Sequence, residues 1–226
     1  MSYSLSSDGF EIRRGVIEEA QISDLRAEAE RVASGAGTVC VRSLCAKSEL
    51  FDALAISPAL LSLLPAGMMP VRSILFDKTP AENWPVLWHQ DLTIAVSETK
   101  EVAGYGPWSV KDGVPHVQPP AQILEGMMTI RLHLDDTPAG NGALRVIPGS
   151  HLSGKLKSRQ VTELRKEPEV VCECKAGDVL LLSPLILHSS KRSDSPQRRR
   201  ILHFEYARLE ELNSNLQWHE AIRKSE

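Results

Sequence analysis

The 226-residue sequence is short of several things at once: cysteine, aromatic residues, charge imbalance and long apolar runs. Its four cysteines, Cys40, Cys45, Cys172 and Cys174, are too few for a disulfide-stapled scaffold. Cys172 and Cys174 form a lone C-x-C with no second pair at zinc-ribbon spacing, so ordinary reduced thiols are expected. Lys plus Arg number 26 and Asp plus Glu 29, a net charge of −3. That near balance argues against a dedicated nucleic-acid binder and against a polybasic membrane protein. The longest apolar stretch, Val179 to Leu187, is broken by Ser183 and Pro184 and is far shorter than the roughly 20 residues that span a bilayer. The N-terminus lacks a basic segment followed by an apolar one, so no signal peptide is expected. The last residues, Arg-Lys-Ser-Glu226, are no lipidation or retention tag. A soluble, cytoplasmic protein is the expectation.

What is present is ordinary globular material, 42% hydrophobic and 24% charged. Ile22, Leu25, Ala29 and Val32 recur at helical spacing and predict a helix that Gly35 and Gly37 end. Ser48 is a cap for a short helix through Ala55. Ser57 and Pro58 read as cap and first-turn proline of a helix through Leu64. Beyond residue 70 the pattern turns to strands. Predicted strands cover Val71–Phe76, Leu87–Val96, Met127–Leu134, Leu144–Ile147, Glu169–Cys174, Val179–Leu187 and Ile201–Ala207. Strands with turn signals and no intervening helices imply an all-β core of antiparallel double-sheet type. The helices of residues 15–65 would pack on one sheet, and residues 71–207 would form the core of a single domain, 1–226.

Residues 97–121 interrupt the strands with Gly104, Gly106, Gly113 and four prolines. A structureless loop of that length is usually functional. Its aromatics argue against plain disorder, so a lid or substrate loop is expected, with Tyr105, Trp108 and His116 as contact candidates.

The chemistry is expected to centre on histidine, of which there are only seven. In a strand, residues i and i+2 share a face, so His89 and Asp91 of the predicted strand 87–96 converge. A neutral imidazole nitrogen and a carboxylate oxygen are good ligands for a divalent first-row metal. His188 ends the apolar run from Gly177 and is the candidate third ligand. Two imidazoles and one carboxylate on one side of a six-coordinate metal leave three positions open, as in non-haem ferrous oxygenases. Arg199 follows His188 by eleven residues.

The H-x-D pair, the strand-terminal histidine about a hundred residues on and the following arginine resemble the phytanoyl-CoA dioxygenase family. The segment from Asn141 to His151, Asn-Gly-Ala-Leu-Arg-Val-Ile-Pro-Gly-Ser-His, resembles that family's N-G-x-L-x-V-x-P-G-S-H stretch. Gly177-Asp178-Val179 resembles its turn before the ligand histidine, and Ser7 to Ile12 its usual opening. The resemblance implies a double-stranded β-helix (a jelly roll, cupin-like). It implies an enzyme that uses iron(II), 2-oxoglutarate and dioxygen. His89, Asp91 and His188 would bind iron, Arg199 the distal carboxylate of 2-oxoglutarate, and Ser190 would hydrogen-bond the same co-substrate. A guanidinium suits that role because it is planar, bidentate and permanently charged. The expected reaction is hydroxylation of a small molecule with release of succinate and carbon dioxide, with desaturation or ring closure as open alternatives that use the same chemistry. Asp91 stands where related halogenases carry a small residue, which favours hydroxylation over halogenation.

Arg131 and His133 share a face of their strand. If that face lines the core, Arg131 would bind 2-oxoglutarate or an acidic substrate; the alternative is an outward, solvated face. Arg198 and Arg200 point opposite to Arg199 and are expected to be a solvated basic run. His151 reads as a structural turn residue, His203 as a neighbour of Arg199 by parity, and His219 as solvated tail. A cupin-like metal hydrolase or isomerase, and a non-catalytic binding barrel, remain the rival functions. Substrate identity and oligomeric state are not legible.

Overall fold

The computed structural model describes residues 3–194 and 197–221. The N-terminal part alternates short strands with helices. Helix α1 (Leu5–Asp8) leads into β1 (Phe10–Arg13), and α2 (Glu19–Ala36) into β2 (Cys40–Arg42). Ile22, Leu25, Ala29 and Val32 are the buried face of α2, as their spacing requires, and Gly37 caps it in the left-handed conformation. The Ser48 hydroxyl accepts from the Phe51 N–H and caps α3 (Glu49–Ala55). Ser57 caps α4, which runs only from Pro58 to Leu61; looser turns carry the chain to Leu64, short of the helix expected there.

The β-rich part follows. It comprises β3 (Met69–Lys78), β4 (Val86–His89), β5 (Ile94–Ala95), β6 (Trp108–Lys111) and β7 (Val114–Val117). After α5 (Ala121–Glu125) come β8 (Met128–His133) and β9 (Leu144–Val146). After α6 (Ser158–Leu164) come β10 (Val170–Cys172), β11 (Val179–Leu182), β12 (His188–Ser190) and β13 (Arg199–Ala207). All pairings are antiparallel. The six-stranded sheet runs β1-β11-β8-β13-β3-β2, the four-stranded sheet β10-β9-β12-β4 and a three-stranded sheet β5-β7-β6. The double-stranded β-helix expected from the sequence is the architecture found, with flanking helices and no closed barrel.

Alternation along the central strands separates two environments. Leu75, Leu132, Leu202 and Phe204 turn outward and join Ile22, Leu25 and Ala29 of α2 in one apolar cluster. Their neighbours Phe76, Arg131, Ile201 and His203 turn inward and line a cavity shared with the four-stranded sheet. Burying each large apolar side chain stabilises the helix–sheet layer by about 1.5–3 kcal/mol.

Three expected elements differ. The strand expected over 87–96 breaks after His89. Gln90 is buried, and its amide nitrogen donates to the carbonyls of Gly154 (2.8 Å) and Leu185 (2.6 Å). Its oxygen accepts from the Leu156 N–H (2.8 Å), and these bonds draw the chain off the sheet before β5. Only Val179–Leu182 of the expected strand to Leu187 is strand; a turn at Ser183–Pro184 ends it and leads the chain to β12 in the other sheet. Residues 97–121 are not structureless: they hold the β6–β7 hairpin, which β5 extends into the third sheet.

The basic run is also not solvated. Arg198 forks onto Asp77 (3.0 and 2.9 Å) and reaches Glu30, and Arg200 forks onto Asp135 (2.8 and 2.7 Å). Two carboxylates on neighbouring segments supply partners that sequence distance concealed. His219 is half-buried, with its Nε2 at 3.1 Å from the Ser43 hydroxyl, rather than free in a tail. None of the four cysteines is in a disulfide, and burial pushes the Cys174 thiol up to about 12.

Candidate metal centre

His89 closes β4, an edge strand, and His188 opens β12; the two are direct cross-strand partners. Their ring centroids lie 4.2 Å apart. Asp91 reaches them from the turn that Gln90 pins, and its backbone N–H donates to the Pro184 carbonyl (2.9 Å). The Asp91 carboxylate lies 3.8 Å from His89 Nε2 and 3.7 Å from His188 Nε2. One donor atom from each residue falls within 4.8 Å of the others.

The imidazoles are oriented alike. His89 Nδ1 sits 2.8 Å from the Leu87 carbonyl and His188 Nδ1 3.0 Å from the Ile186 carbonyl. Because a carbonyl only accepts, each Nδ1 carries the proton and each Nε2 presents a lone pair. Burial lowers the His188 pKa to about 4, against the raising influence of Asp91, so its ring stays neutral. Burial pushes the Asp91 pKa up, but His188, His203, His89 and Arg72 outweigh it and hold the carboxylate charged. Two neutral imidazole nitrogens and one carboxylate fit a divalent first-row metal. The outer hydrogen bonds to backbone carbonyls are those that ligand histidines require.

The motifs flanking the centre brace it. The Ser150 hydroxyl donates to the Ile147 carbonyl (2.7 Å) and accepts from the Leu187 N–H (2.8 Å), which fixes the residue before His188. His151 lies outside the cavity, its Nε2 at 3.3 Å from the Ser6 carbonyl. Asp178 accepts from the backbone of Gly15 and Lys175 and from Arg14, and ties the turn before β11 to the N-terminal segment. A Cβ on Gly142 would stand 3.0 Å from the Arg199 guanidinium, and its φ of +70° favours glycine independently.

The cavity beside the triad is about 170 Å³. Arg199 lies on its wall and donates to the Gly142 carbonyl. Ser190 is buried on the same wall, two residues beyond His188. Arg131 faces inward: its Nη1 lies 3.2 Å from His203 Nδ1, its guanidinium stacks 5.4 Å from the Phe76 ring, and its Nε has no partner among the described residues. His133 is buried on the same face but does not line the cavity, and burial lowers its pKa to about 3. Burial, then Arg131, lowers the Arg199 pKa to about 10.

The structure separates three expected residues from this cavity. Tyr105, Trp108 and His116 belong to the three-stranded sheet and its approach, and none lines the 170 Å³ space. His116 is buried, with Nδ1 on the Val114 carbonyl and Nε2 unpartnered. The Tyr105 hydroxyl accepts from the Asn213 N–H (3.4 Å).

Several cavity residues escaped the sequence. Lys78 donates to the Trp84 carbonyl (2.7 Å) and lies 4.4 Å over the Trp84 ring. Burial, then Arg199 and Arg131, lowers its pKa to about 7. Arg72 and Glu205 form a buried ion pair (2.9 Å) at the other end. Period-two counting carried past Phe76 would have put Lys78 on the face of Arg72, Ile74 and Phe76.

Fold and site together define a double-stranded β-helix with a two-histidine, one-carboxylate centre. The family profile described as Phytanoyl-CoA dioxygenase (PhyH) matches residues 5–201, and the chain belongs to that family. A curated relative, the Phytanoyl-CoA dioxygenase domain-containing protein 1 homolog of Dictyostelium discoideum, is 32% identical over 88 residues. That alignment covers 31% of this chain and 31% of the relative, under a third of its length. Among solved structures, the non-haem alpha ketoglutarate dependent epimerase SnoN of nogalamycin biosynthesis has a TM-score of 0.69 at 21% identity. It covers 91% of this chain and 80% of its own. HygX from Streptomyces hygroscopicus, solved with nickel and 2-oxoglutarate bound, has a TM-score of 0.65 at 17% identity, covering 90% and 84%. At these identities the likeness to the solved structures is one of fold.

Proposed function

We propose that this chain is an iron(II)- and 2-oxoglutarate-dependent oxygenase that hydroxylates a small molecule. The observation that carries this reading is the adjacency of two arrangements. His89, Asp91 and His188 offer two bare Nε2 atoms and a charged carboxylate, and Lys78, Arg131 and Arg199 line the same cavity. A divalent ion suits the first and a dianionic co-substrate the second.

When bound, ferrous iron would let dioxygen take two electrons from 2-oxoglutarate, giving succinate and carbon dioxide, and two from a substrate C–H bond, giving the alcohol. The chain's own residues hold and aim. His89, Asp91 and His188 would hold the iron. Arg199 and Lys78, with Ser190, would take the distal carboxylate, where guanidinium and ammonium make charge-assisted bonds. Arg131 lies within electrostatic reach of both Asp91 and Arg199 and would neutralise the second carboxylate. The apolar walls, Phe76, Ile201 and Leu144, keep water out.

A metal hydrolase would need no cluster of buried cations, so the cluster favours the oxygenase over that rival. An intact Asp91 supports hydroxylation over halogenation. The three-stranded sheet carrying Tyr105, Trp108 and His116 would guide substrate from beyond the cavity. Four cysteines outside any disulfide and a ferrous ion suit a reducing, cytoplasmic setting. The whole chain would act as one catalytic domain, with neither nucleic acid nor membrane as partner.

The test is spectroscopic and anaerobic. Adding 2-oxoglutarate to the ferrous protein should produce the visible charge-transfer absorption of a chelated iron–keto acid complex, and Asp91→Ala should abolish it. An unchanged spectrum in the wild type contradicts the proposal.

A further inference from the structure

The cavity floor is a ladder with charge at both ends. Strands β3 and β13 pair Lys78 with Arg199, Phe76 with Ile201, Ile74 with His203 and Arg72 with Glu205. The end pairs are six residues apart, about 20 Å along the strands. Arg72 donates to the carbonyl of Thr93, two residues beyond Asp91, and Asp91 lies within electrostatic reach of His203, Arg72 and Arg131, whereas Lys78 lies near Arg199 and Arg131. The metal-ligating carboxylate therefore faces the Arg72 half of the floor. A five-carbon diacid stretched from the metal towards Lys78 and Arg199 cannot also reach Arg72.

Three observations mark the Arg72 end as built for a ligand. First, Arg72 lines the cavity and is fixed by Glu205 (2.9 Å) and the Thr93 carbonyl (3.3 Å), yet its buried Nε–H has no partner among the described residues. An unpaired buried donor costs about 1–3 kcal/mol, so its persistence calls for an explanation. Second, four cations (Arg72, Lys78, Arg131, Arg199) face two carboxylates (Asp91, Glu205) across the cavity. Lys78, Arg131 and Arg199 meet the dianionic co-substrate at the far end, while a divalent metal beside Asp91, Arg72 and Glu205 leaves one net positive charge on the Arg72 half. Third, the three-stranded sheet brings another cation to this end: Lys111 of β6 donates to the Thr93 hydroxyl (3.4 Å) and has no ion-pair partner among the described residues. The cavity is also smaller than the roughly 300 Å³ at which ligand sites usually start. Only a small group fits beside the co-substrate.

We infer that the substrate is a small carboxylic acid whose anion docks on Arg72 at this end of the cavity, with its reacting carbon over His89, Asp91 and His188. The inference rests on the oxygenase reading and names the substrate class for it. Glu205 is a positioning residue: it holds the guanidinium in place from behind. A carboxylate docked on the part of the Arg72 guanidinium that lines the cavity would balance the charge left on this half.

The test uses the anaerobic, manganese(II)-loaded full-length protein saturated with 2-oxoglutarate. The probes are 4-methylpentanoate and its uncharged analogue 4-methylpentanamide, and the readout is paramagnetic relaxation of the probe protons. A charge-assisted bond to a buried guanidinium is worth about 10- to 100-fold in affinity, so the acid should bind at least about tenfold tighter than the amide. The double variant Arg72→Met/Glu205→Met avoids stranding a buried carboxylate, and it should lose the preference while its affinity for 2-oxoglutarate stays within about threefold. Lys78→Met should do the reverse. Equal relaxation by acid and amide in the wild type, including none by either, overturns the inference without recourse to any variant. So does a preference that survives in a double variant whose circular dichroism is native. Failure of 2-oxoglutarate to bind the wild type overturns the oxygenase reading instead. Repeating the comparison of wild type and double variant without 2-oxoglutarate still decides the Arg72 assignment.

Discussion

Lys78 and Arg199 stand opposite each other on neighbouring strands, two buried cations paired in register with no acid between them. Like charges placed so are destabilising in a sheet. Burial and the neighbouring guanidinium groups push the Lys78 ammonium down to about 7. The arrangement makes sense as a carboxylate receptor whose stability cost is accepted for binding.

Replacing Lys78 should therefore separate stability from function. Lys78→Met is expected to raise, or leave unchanged, the melting temperature of the ligand-free protein. The same variant should weaken 2-oxoglutarate by about 10- to 100-fold, the worth of a hydrogen bond to a charged group. Differential scanning fluorimetry and calorimetric titration measure both. A fall in both would make Lys78 merely structural.

The pH dependence follows from the same residue. In the unliganded fold Lys78 loses its proton near 7, whereas the unfolded chain keeps it to about 10.5. Between those values the unfolded state binds more protons, so this group's contribution makes the ligand-free protein more stable as pH rises. Binding a carboxylate requires the charged ammonium. Above about pH 7, 2-oxoglutarate binding must then take up a proton, and affinity should fall by up to about tenfold per pH unit. Titrations of the anaerobic metal-loaded protein between pH 6 and 9 should show that slope, and Lys78→Met should flatten it.

Gln90 is expected to matter although it carries no chemistry. Its side chain makes three hydrogen bonds to backbone groups of the Gly154–Leu156 and Leu185 segments. Gln90→Leu strands two carbonyls and one N–H, at a cost of about 3 kcal/mol. It should also weaken manganese binding by about tenfold, because Asp91 loses the turn that aims it. Chemical denaturation and electron paramagnetic resonance titration test the two halves separately.

Asp135 is the partner that keeps Arg200 buried. Asp135→Ala should cost about 3 kcal/mol by leaving a guanidinium unpaired. Because the pair lies on the helix side of the sheet, contacting the Arg26 carbonyl (3.4 Å), metal affinity of the folded fraction should be unchanged.

The sequence displayed the periodic parts of this molecule well. The buried stripe of α2, the caps at Ser48 and Ser57 and the alternation of β8 and β13 are local facts, written at spacings of two, three and four. The breaks were not legible. Nothing local says that Gln90 will bond to residues 64 to 95 positions away and end β4. His89 and Asp91 were thus expected on one strand face, whereas Asp91 stands on a turn. The ion pairs of Arg198 and Arg200 were hidden for the same reason, since Asp77 and Asp135 are distant in sequence. Lys78, Arg72 and Glu205 were missed differently. A charged residue inside a strand reads as solvent-facing unless the cavity that receives it is known. The glycines and prolines of residues 97–121 concealed a hairpin, because turn residues bound short strands as readily as they fill loops.

The central claim is that His89, Asp91 and His188 hold one divalent ion. Anaerobic crystallography of the manganese-loaded protein with 2-oxoglutarate tests it most directly. A single anomalous peak should lie roughly 2.0–2.2 Å from both Nε2 atoms and one Asp91 carboxylate oxygen, the usual range for such first-row metal bonds. The co-substrate's distal carboxylate should lie on Arg199 and Lys78. An anomalous peak elsewhere, or none at full manganese occupancy of the solution, contradicts the account.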